Sequence, residues 1–466
     1  MRHAPTHRRS PRLLSAPAAL AFALAATLAW PSRAAADDSG SAAGSSDAPP
    51  PEVPHETGEG TPGIKLGPFR LHASLFVAGG YDSNVFFSNG AGDPVPIIGS
   101  PVLHIGPRLE GATGRPVNLD GRFYAALTWH QYFTRMTREQ SDAAAELGLQ
   151  LIVFPLKPIS FLIEESFVRY VEASFSVLAG DGNPFTPNPG PRLDRDLNRL
   201  GLGVRVKPGH GAFQVDLMNI LTFDWFESRA LNLGSSIRDE VLLRSKWKFF
   251  PKTALTHEFS LGYQHYFCNV NCNAGYYNID SFPLRTYLGI IGLLTPRLEF
   301  MVKVGYGNSF HRTTDPANTG ISYEGPLAAA SLGYRAGEHT RVGLLYEHGF
   351  SDAIFSNFYI FDMGKLFVDQ SIGARVIIHV EGAVAYLNYD FPPVVPNVTL
   401  PMEDRREVRL GLNAKIDFYI MAWLTIGAAW SLTGNFTTYV VTNAVTGDNN
   451  PSYIKNVVLL TAIARY

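Results

Sequence analysis

Apolar and polar side chains alternate with a period of two over segments of roughly 12 to 16 residues, and the pattern recurs from about Gly63 to Tyr466. In the first such segment Leu71, Ala73, Leu75, Val77, Gly79 and Tyr81 share one face, while Arg70, His72, Ser74, Ala78, Gly80 and Asp82 lie mostly on the other. Further on, Leu119, Phe123, Ala125, Leu127 and Trp129 oppose Asp120, Arg122, Tyr124, Thr128 and His130, and Val408, Leu410, Leu412, Ala414 and Ile416 oppose Glu407, Arg409, Asn413, Lys415 and Asp417. Strands of a soluble sandwich average about 5 or 6 residues. A tilted strand that crosses a bilayer needs about 9 to 11. The alternation therefore predicts strands with one face in lipid and one in water.

The connections carry the second signal. Tight turns at 114–116, 155–158, 208–211, 251–253, 296–297 and 337–339 alternate with polar excursions at 85–99, 174–193, 228–237, 268–280, 312–321, 391–403 and 437–452. Short connections at one end and long ones at the other are the plan of an outer-membrane barrel, with periplasmic turns and external loops. The expected fold is all-β: a transmembrane antiparallel β-barrel of about 18 strands, occupying 63–466. No clear turn divides the run from Met363 to Asp390. The apolar run from Phe418 to Trp430 is too short for a spanning helix, and is read as a turn followed by a strand.

Both ends of the chain fit this plan. Basic Arg2, Arg8, Arg9 and Arg12, an apolar stretch from Leu13 to Trp30, and Ala34 to Ala36 read as a cleaved secretory signal over 1–36. Residues 37–62 are rich in Ser, Gly, Pro and acid, and are expected to form a disordered periplasmic tether. At the other end Val458, Leu460, Ala462, Ala464 and Tyr466 share a face, and a terminal aromatic of this kind resembles the assembly signal read by the barrel assembly machinery. The expected location is the cell outer membrane, in contact with its lipid.

Composition narrows the function. A net charge of −2 leaves no basic stripe to neutralise nucleic acid. No GxSxG, HExxH, P-loop or EF-hand spacing is present, so no enzyme, metal site or cofactor is expected. Cys268 and Cys272 fall in an external excursion and are expected to close a local disulfide, since zinc would need two further ligands.

Function in such a barrel resides in the lumen. The faces assigned inward carry acids (Asp120, Asp216, Asp224, Glu240, Glu258, Glu299, Glu347, Glu407, Asp417) and bases (Arg122, Arg199, Arg205, Lys207, Arg244, Lys246, Lys248, Lys303, Arg341, Arg409, Lys415). Arg244, Lys246 and Lys248, with Arg199, Arg205 and Lys207 two strands earlier, suggest a basic wall for anionic solute or polymer. The alternative is that opposite charges pair across neighbouring strands and only keep the lumen wet. Inward Phe76 and Tyr124 offer stacking faces for sugar rings or packing for a plug. Tyr81, Trp129, Tyr132, Tyr170, Trp225, Tyr263, Tyr266, Tyr306 and Tyr346 are assigned to interfacial girdles. In "GGYDSNVFF" (79–87), Tyr81 is placed at headgroup level and Asp82, Ser83 and Asn84 are expected to turn the strand out of the membrane. Phe86 and Phe87 would then start an external loop or re-enter the interface; metal binding by Asp-Ser-Asn is the alternative.

"PFRLHASLFVAGGYDSNVFF", "SPVLHIGPRLEG" and "RDLNRLGLGVRVKPGHGAFQVDL" resemble the β-barrel porins of Gram-negative outer membranes, whose first strand typically ends in Tyr-Asp-x-Asn-Val. The chain is also similar to the 18-stranded myxobacterial barrels implicated in polysaccharide export. That resemblance implies a channel handing secreted polysaccharide across the outer membrane with a periplasmic polysaccharide export protein. A general diffusion porin and a plugged structural or adhesion barrel are the other expectations.

Overall fold

The computed structural model describes residues 63–90, 96–113, 118–172, 193–208, 211–227, 234–267, 279–311, 322–353, 356–389, 405–437, 441–443, 447–449 and 452–466. The signal and tether assignments, the Cys268 and Cys272 pairing, the 114–116 turn and the 174–192 excursion lie outside these residues.

The strands in chain order are β1 (Ile64–Leu66), β2 (Phe69–Asp82), β3 (Ser100–Thr113), β4 (Leu119–Tyr132), β5 (Asp142–Val153), β6 (Ile159–Glu172) and β7 (Leu193–Val206). They continue with β8 (Phe213–Phe226), β9 (Ser236–Phe250), β10 (Thr253–Tyr266), β11 (Leu284–Thr295), β12 (Leu298–Asn308), β13 (Glu324–Arg335) and β14 (Thr340–Ala353). The last are β15 (Ser356–Ile372), β16 (Val376–Tyr389), β17 (Arg405–Met421), β18 (Leu424–Thr437), β19 (Val441–Asn443), β20 (Gly447–Asn449) and β21 (Tyr453–Arg465). β2 to β18 pair in sequence, each antiparallel to the next, and β21 pairs with both β18 and β2. The sheet thus closes on itself as a transmembrane barrel of eighteen strands.

β1 is not a wall strand. It folds back on β2 through Gly67, whose φ of 60° suits a tight hairpin, and takes the stretch of β2's edge below the end of β21. β19 and β20 form a separate two-stranded ribbon in the connection between β18 and β21.

Alternation fixes which face looks where. On β12, Val302 and Val304 are 49% and 61% exposed on the outer, lipid-facing side, while Lys303 between them is 7% exposed and faces inward. Every inward residue named above on β2 to β18 has this lumen-facing parity. Tyr81, Trp129, Trp225, Tyr263, Tyr306 and Tyr346 are exposed on the outer face. Tyr132 and Tyr266 correct the girdle assignment: their even positions on β4 and β10 turn them inward, and Tyr266 is buried and accepts from Gln264 Nε2 at 3.0 Å. Placement of the Tyr170 side chain lies outside the described residues.

Two turns had no obvious punctuation. β15 and β16 are joined by Gly373–Arg375, with Gly373 at φ 58°, and β17 and β18 by Ala422–Trp423 inside the apolar run. The connection from Phe133 to Ser141, which carries a short 3-10 turn (Arg138–Gln140), is a further loop-end excursion beyond those anticipated.

Candidate functional site

The inner wall is built from the polar face of each strand. Across β7 to β10 one row of facing residues reads Arg205, Asp216, Arg244, Glu258. Arg205 grips Asp216 with two hydrogen bonds, of 2.8 and 2.7 Å. Arg244 lies 3.9 Å from Glu258, and Lys303 reaches the same Glu258 carboxylate from β12 at 3.4 Å. Elsewhere Arg195 forks onto Asp224 at 2.6 and 2.5 Å, Arg238 meets Glu240 at 3.0 Å, Arg341 meets Glu299 at 2.8 Å, and Lys415 meets Asp417 at 2.8 Å. Much of the lumen charge is therefore paired within the wall.

Basic side chains gather at one side of the turn end. Arg205, Lys207, Arg244, Lys246 and Lys248 converge there, with Asp216 and Glu258 as the acids of the facing row. Lys207 follows the last residue of β7; burial first, and then the Arg205 charge, holds its ammonium below the ordinary lysine value, with Lys248 adding to this and Asp216 opposing. Arg199 and Glu240 stand nearer the loop end, where Arg238, Arg285 and Arg199 are the basic neighbours of Glu240. Asp120 and Arg122 lie three strands from β7, on β4, and do not join this group. Between the charged levels is an apolar patch that alternation did not reveal: Leu162, Met218, Ile220 and Leu242 pack together, facing inward.

Inward Tyr124 is engaged by the wall. Arg108 stacks 4.8 Å from the Tyr124 ring centroid and donates to its hydroxyl at 3.2 Å, and that hydroxyl also donates to Glu146. Tyr124 is thus tied to neighbouring side chains on the inner wall.

A hairpin enters the lumen from the loop end. β13 and β14 pair only as far as Ala328 and His348, while β14 and β15 stay paired up to Ala353 and Ser356. Beyond His348 the β14–β15 hairpin parts from β13, while β15 stays paired with β16 as far as Tyr359 and Tyr389. Phe350 and Phe358, on the face that would meet lipid, instead pack on the inward-facing Tyr287 and Leu327 and on Tyr323. Ala353 and Tyr359, on the other face, pack on Leu387 and Tyr389 of β16. Arg285 donates to the Phe350 carbonyl at 3.1 Å and holds its guanidinium 4.3 Å from the Phe350 ring. This element narrows the lumen and was not anticipated, because Phe350 and Phe358 obey the same alternation as lipid-facing residues.

His311 props the hairpin from the loop after β12. Its ring stacks 6.0 Å from Phe358, and Nδ1 lies 2.9 Å from Ser309 Oγ. Burial pushes the imidazole below its ordinary value, with Asp352 of the hairpin opposing. A lowered folded-state value means that the packed hairpin binds the proton less well than a released one. The contribution is therefore present above the unfolded value of about 6.5 and is lost as pH falls below it. Amide protection factors over 349–353 and 356–361 are expected to drop below about pH 6. His311→Gln is expected to remove that pH dependence; an equal drop in the variant would assign it elsewhere.

The Tyr-Asp-Ser-Asn stretch corrects a further expectation. It does not turn outward. Asp82, Asn84, Val85, Phe86 and Phe87 are all buried on the lumen side of the β2–β21 seam, with Phe86 and Phe87 against Tyr453, Ile98 and Tyr132. Asp82 pairs with Lys455 at 3.0 Å, and its Oδ1 accepts from the Asn84 amide at 3.0 Å. Asn84 Nδ2 donates to the carbonyls of Ser88 (2.7 Å) and Ile454 (3.1 Å), while Ser83 and Asn456 exchange bonds of 2.9 and 2.8 Å. Lys455 Nζ sits 4.1 Å from the Phe87 ring centroid, and Phe87 holds a left-handed φ of 53°. These contacts clasp the first wall strand to the last.

Fold and wall together define a transmembrane β-barrel of eighteen antiparallel strands with a charged inner face. No family model and no curated protein matches the sequence. Among solved structures the chain is similar to the outer membrane protein OpdK of Pseudomonas aeruginosa, at 8% identity and a TM-score of 0.44 over 85% of this chain and 99% of that one. It is similar to Acinetobacter baumannii OccAB3, at 9% identity and 0.44 over 85% and 99%. P. aeruginosa OccK3 (OpdO) gives 13% identity and 0.43 over 85% and 96%.

Proposed function

We propose that the chain is an outer-membrane channel for small hydrated solutes, with its turns in the periplasm and its loops outside. The observation that supports this most is the β14–β15 hairpin folded onto the inner wall, which reduces the bore beside rows of charge that keep it wet. Barrels of 16 to 18 strands leave an aqueous interior, so a narrowed one suits solutes better than a polymer chain. Export of polysaccharide with a periplasmic export protein, implied by the resemblance, would require that hairpin to move aside. Planar-bilayer conductance together with liposome swelling in sugars of increasing size tests the proposal. Absence of conductance at every voltage would favour a plugged adhesion barrel, and loss of secreted polymer in a deletion strain would favour export.

The basic turn-end mouth gives this channel a preference for anions. Reversing two of its charges, Lys246→Glu with Lys248→Glu, is expected to move the reversal potential in a KCl gradient toward cation selectivity. An unmoved potential would mean that these side chains lie off the conducting path. The same proposal takes residues 1–36 as a removed signal, 37–62 as a tether, Cys268 and Cys272 as a loop disulfide, and the outward row Val458, Leu460, Ala462, Ala464 and Tyr466 as the assembly signal.

A further inference from the structure

The lipid-facing wall is interrupted on one side. The outward faces of β16 and β18 are apolar between their rims, as in Val376, Ile378, Val380, Val384, Ile426 and Trp430. The outward faces of β6 to β10 are not. Glu165 of β6 and Asn219 of β8 each stand seven residues from the loop end of their fourteen-residue strands, at mid-wall. Their outward parity follows from exposed Phe161 and Leu217 on the same faces. Asn198 of β7 donates to Glu165, and Asn219 donates to Asp239 of β9 at 2.6 Å. Toward the turn end the band meets a groove of about 300 Å³ lined by Phe213, Ser245, Trp247, Leu255 and His257.

One hydrogen bond leaves most of a carboxylate's acceptor capacity unused, and hydrocarbon offers none. Ionisable groups at this depth are costly unless protein covers them; among the described residues outside the band, the outward pair of His348 with Asp362 stands nearer the loop end, where Tyr346 also donates to Asp362. The band carries its own complement, because amide donors (Asn198, Asn219) and carboxylate acceptors (Glu165, Asp239) sit side by side. A twofold axis along the membrane normal and passing near β7 brings Glu165 of one copy to the height of the partner's Asn219, and the reverse contact forms with it.

We propose that the outward face of β6 to β10 is the interface with a second copy of this chain. This rests on the transmembrane fold and not on what the lumen carries, so conductance results leave it untouched. The test uses the full mature barrel refolded into phosphatidylcholine vesicles, with Cys268→Ser and Cys272→Ser. A photo-crosslinking phenylalanine analogue is placed at Leu217 or, on the far wall, at Val384. A covalent dimer from position 217 and none from 384 is expected. Glu165→Leu with Asn219→Leu is expected to abolish that dimer while the barrel keeps its heat-modifiable mobility on unboiled gels, which shows it folded. A wild-type chain that stays monomeric at high protein-to-lipid ratio, equal adducts from both positions, or a dimer undiminished in the folded double variant would each overturn the proposal.

Discussion

Phe350→Ser combined with Phe358→Ser raises single-channel conductance several-fold while leaving the barrel folded. The two rings are 2% and 3% exposed and carry the contact between the hairpin and the inner faces of β11 and β13. Truncating a buried phenylalanine costs about 3 to 5 kcal/mol, and a serine hydroxyl adds a polar group to the same apolar patch. The wall does not depend on this contact, because β13 and β14 have already parted at Ala328 and His348 and the hairpin's own strands remain paired. The loss therefore falls on docking rather than on closure. Arg285→Gln is expected to act in the same direction with a smaller effect, since it removes one bond to the Phe350 carbonyl and a ring contact. Conductance traces in planar bilayers read both. Unchanged conductance in the double serine variant would show that the hairpin does not bound the conducting path.

The second large effect concerns closure. Lys455→Met leaves Asp82, 2% exposed, with its charge buried and without the partner now 3.0 Å away. Breaking one half of a buried ion pair costs about 3 to 5 kcal/mol, whereas removing both charges is far milder. The expected order of urea midpoints, read by the gel shift of the folded barrel, is wild type, then Asp82→Asn with Lys455→Met, then Lys455→Met alone. The seam is a sensitive place for this loss, because β2 meets β21 over only Ser74 to Asp82. A single variant as stable as the double would mean that the pair contributes nothing to closure, and that Asn84 and the Phe87 packing hold the seam alone.

These predictions bear on parts of the molecule that differed in how far they could be read from sequence. Period-two alternation placed Leu71, Leu127 or Leu410 on the outer face because a strand leaves each side chain only two directions. The same logic placed Lys303, Glu258 and Arg244 inward without knowledge of their partners. It failed where a strand parts from its neighbour. Phe350 has the parity of a lipid-facing residue, yet its segment has parted from β13 and the same face now rests on protein. It failed for Phe86 and Phe87 for a related reason: the chain turns at Asn84 to Phe87, just past Asp82 and Ser83, and no local signal says toward which side. Tyr132 and Tyr266 were misassigned by residue type, since their positions in register already pointed inward.

The basic group illustrates the division within the lumen. Arg244, Lys246 and Lys248 lie on one strand, so their common face was visible from spacing alone. That Asp216 stands between Arg205 and Arg244, and that Lys303 reaches Glu258 from two strands away, depends on register and barrel curvature. Neighbouring strands slide by whole residues until hydrophobic faces, turns and the closing seam agree.

The chain's local chemistry thus determined the transmembrane strands, their approximate number and the face each side chain occupies, because alternation and turn residues act within a few residues of themselves. Tertiary structure decided the charge pairs, the inward hairpin, the clasp of β2 to β21 and the polar band on the outer wall. Each joins residues far apart in the chain, and their meeting is set by where the closed sheet brings them.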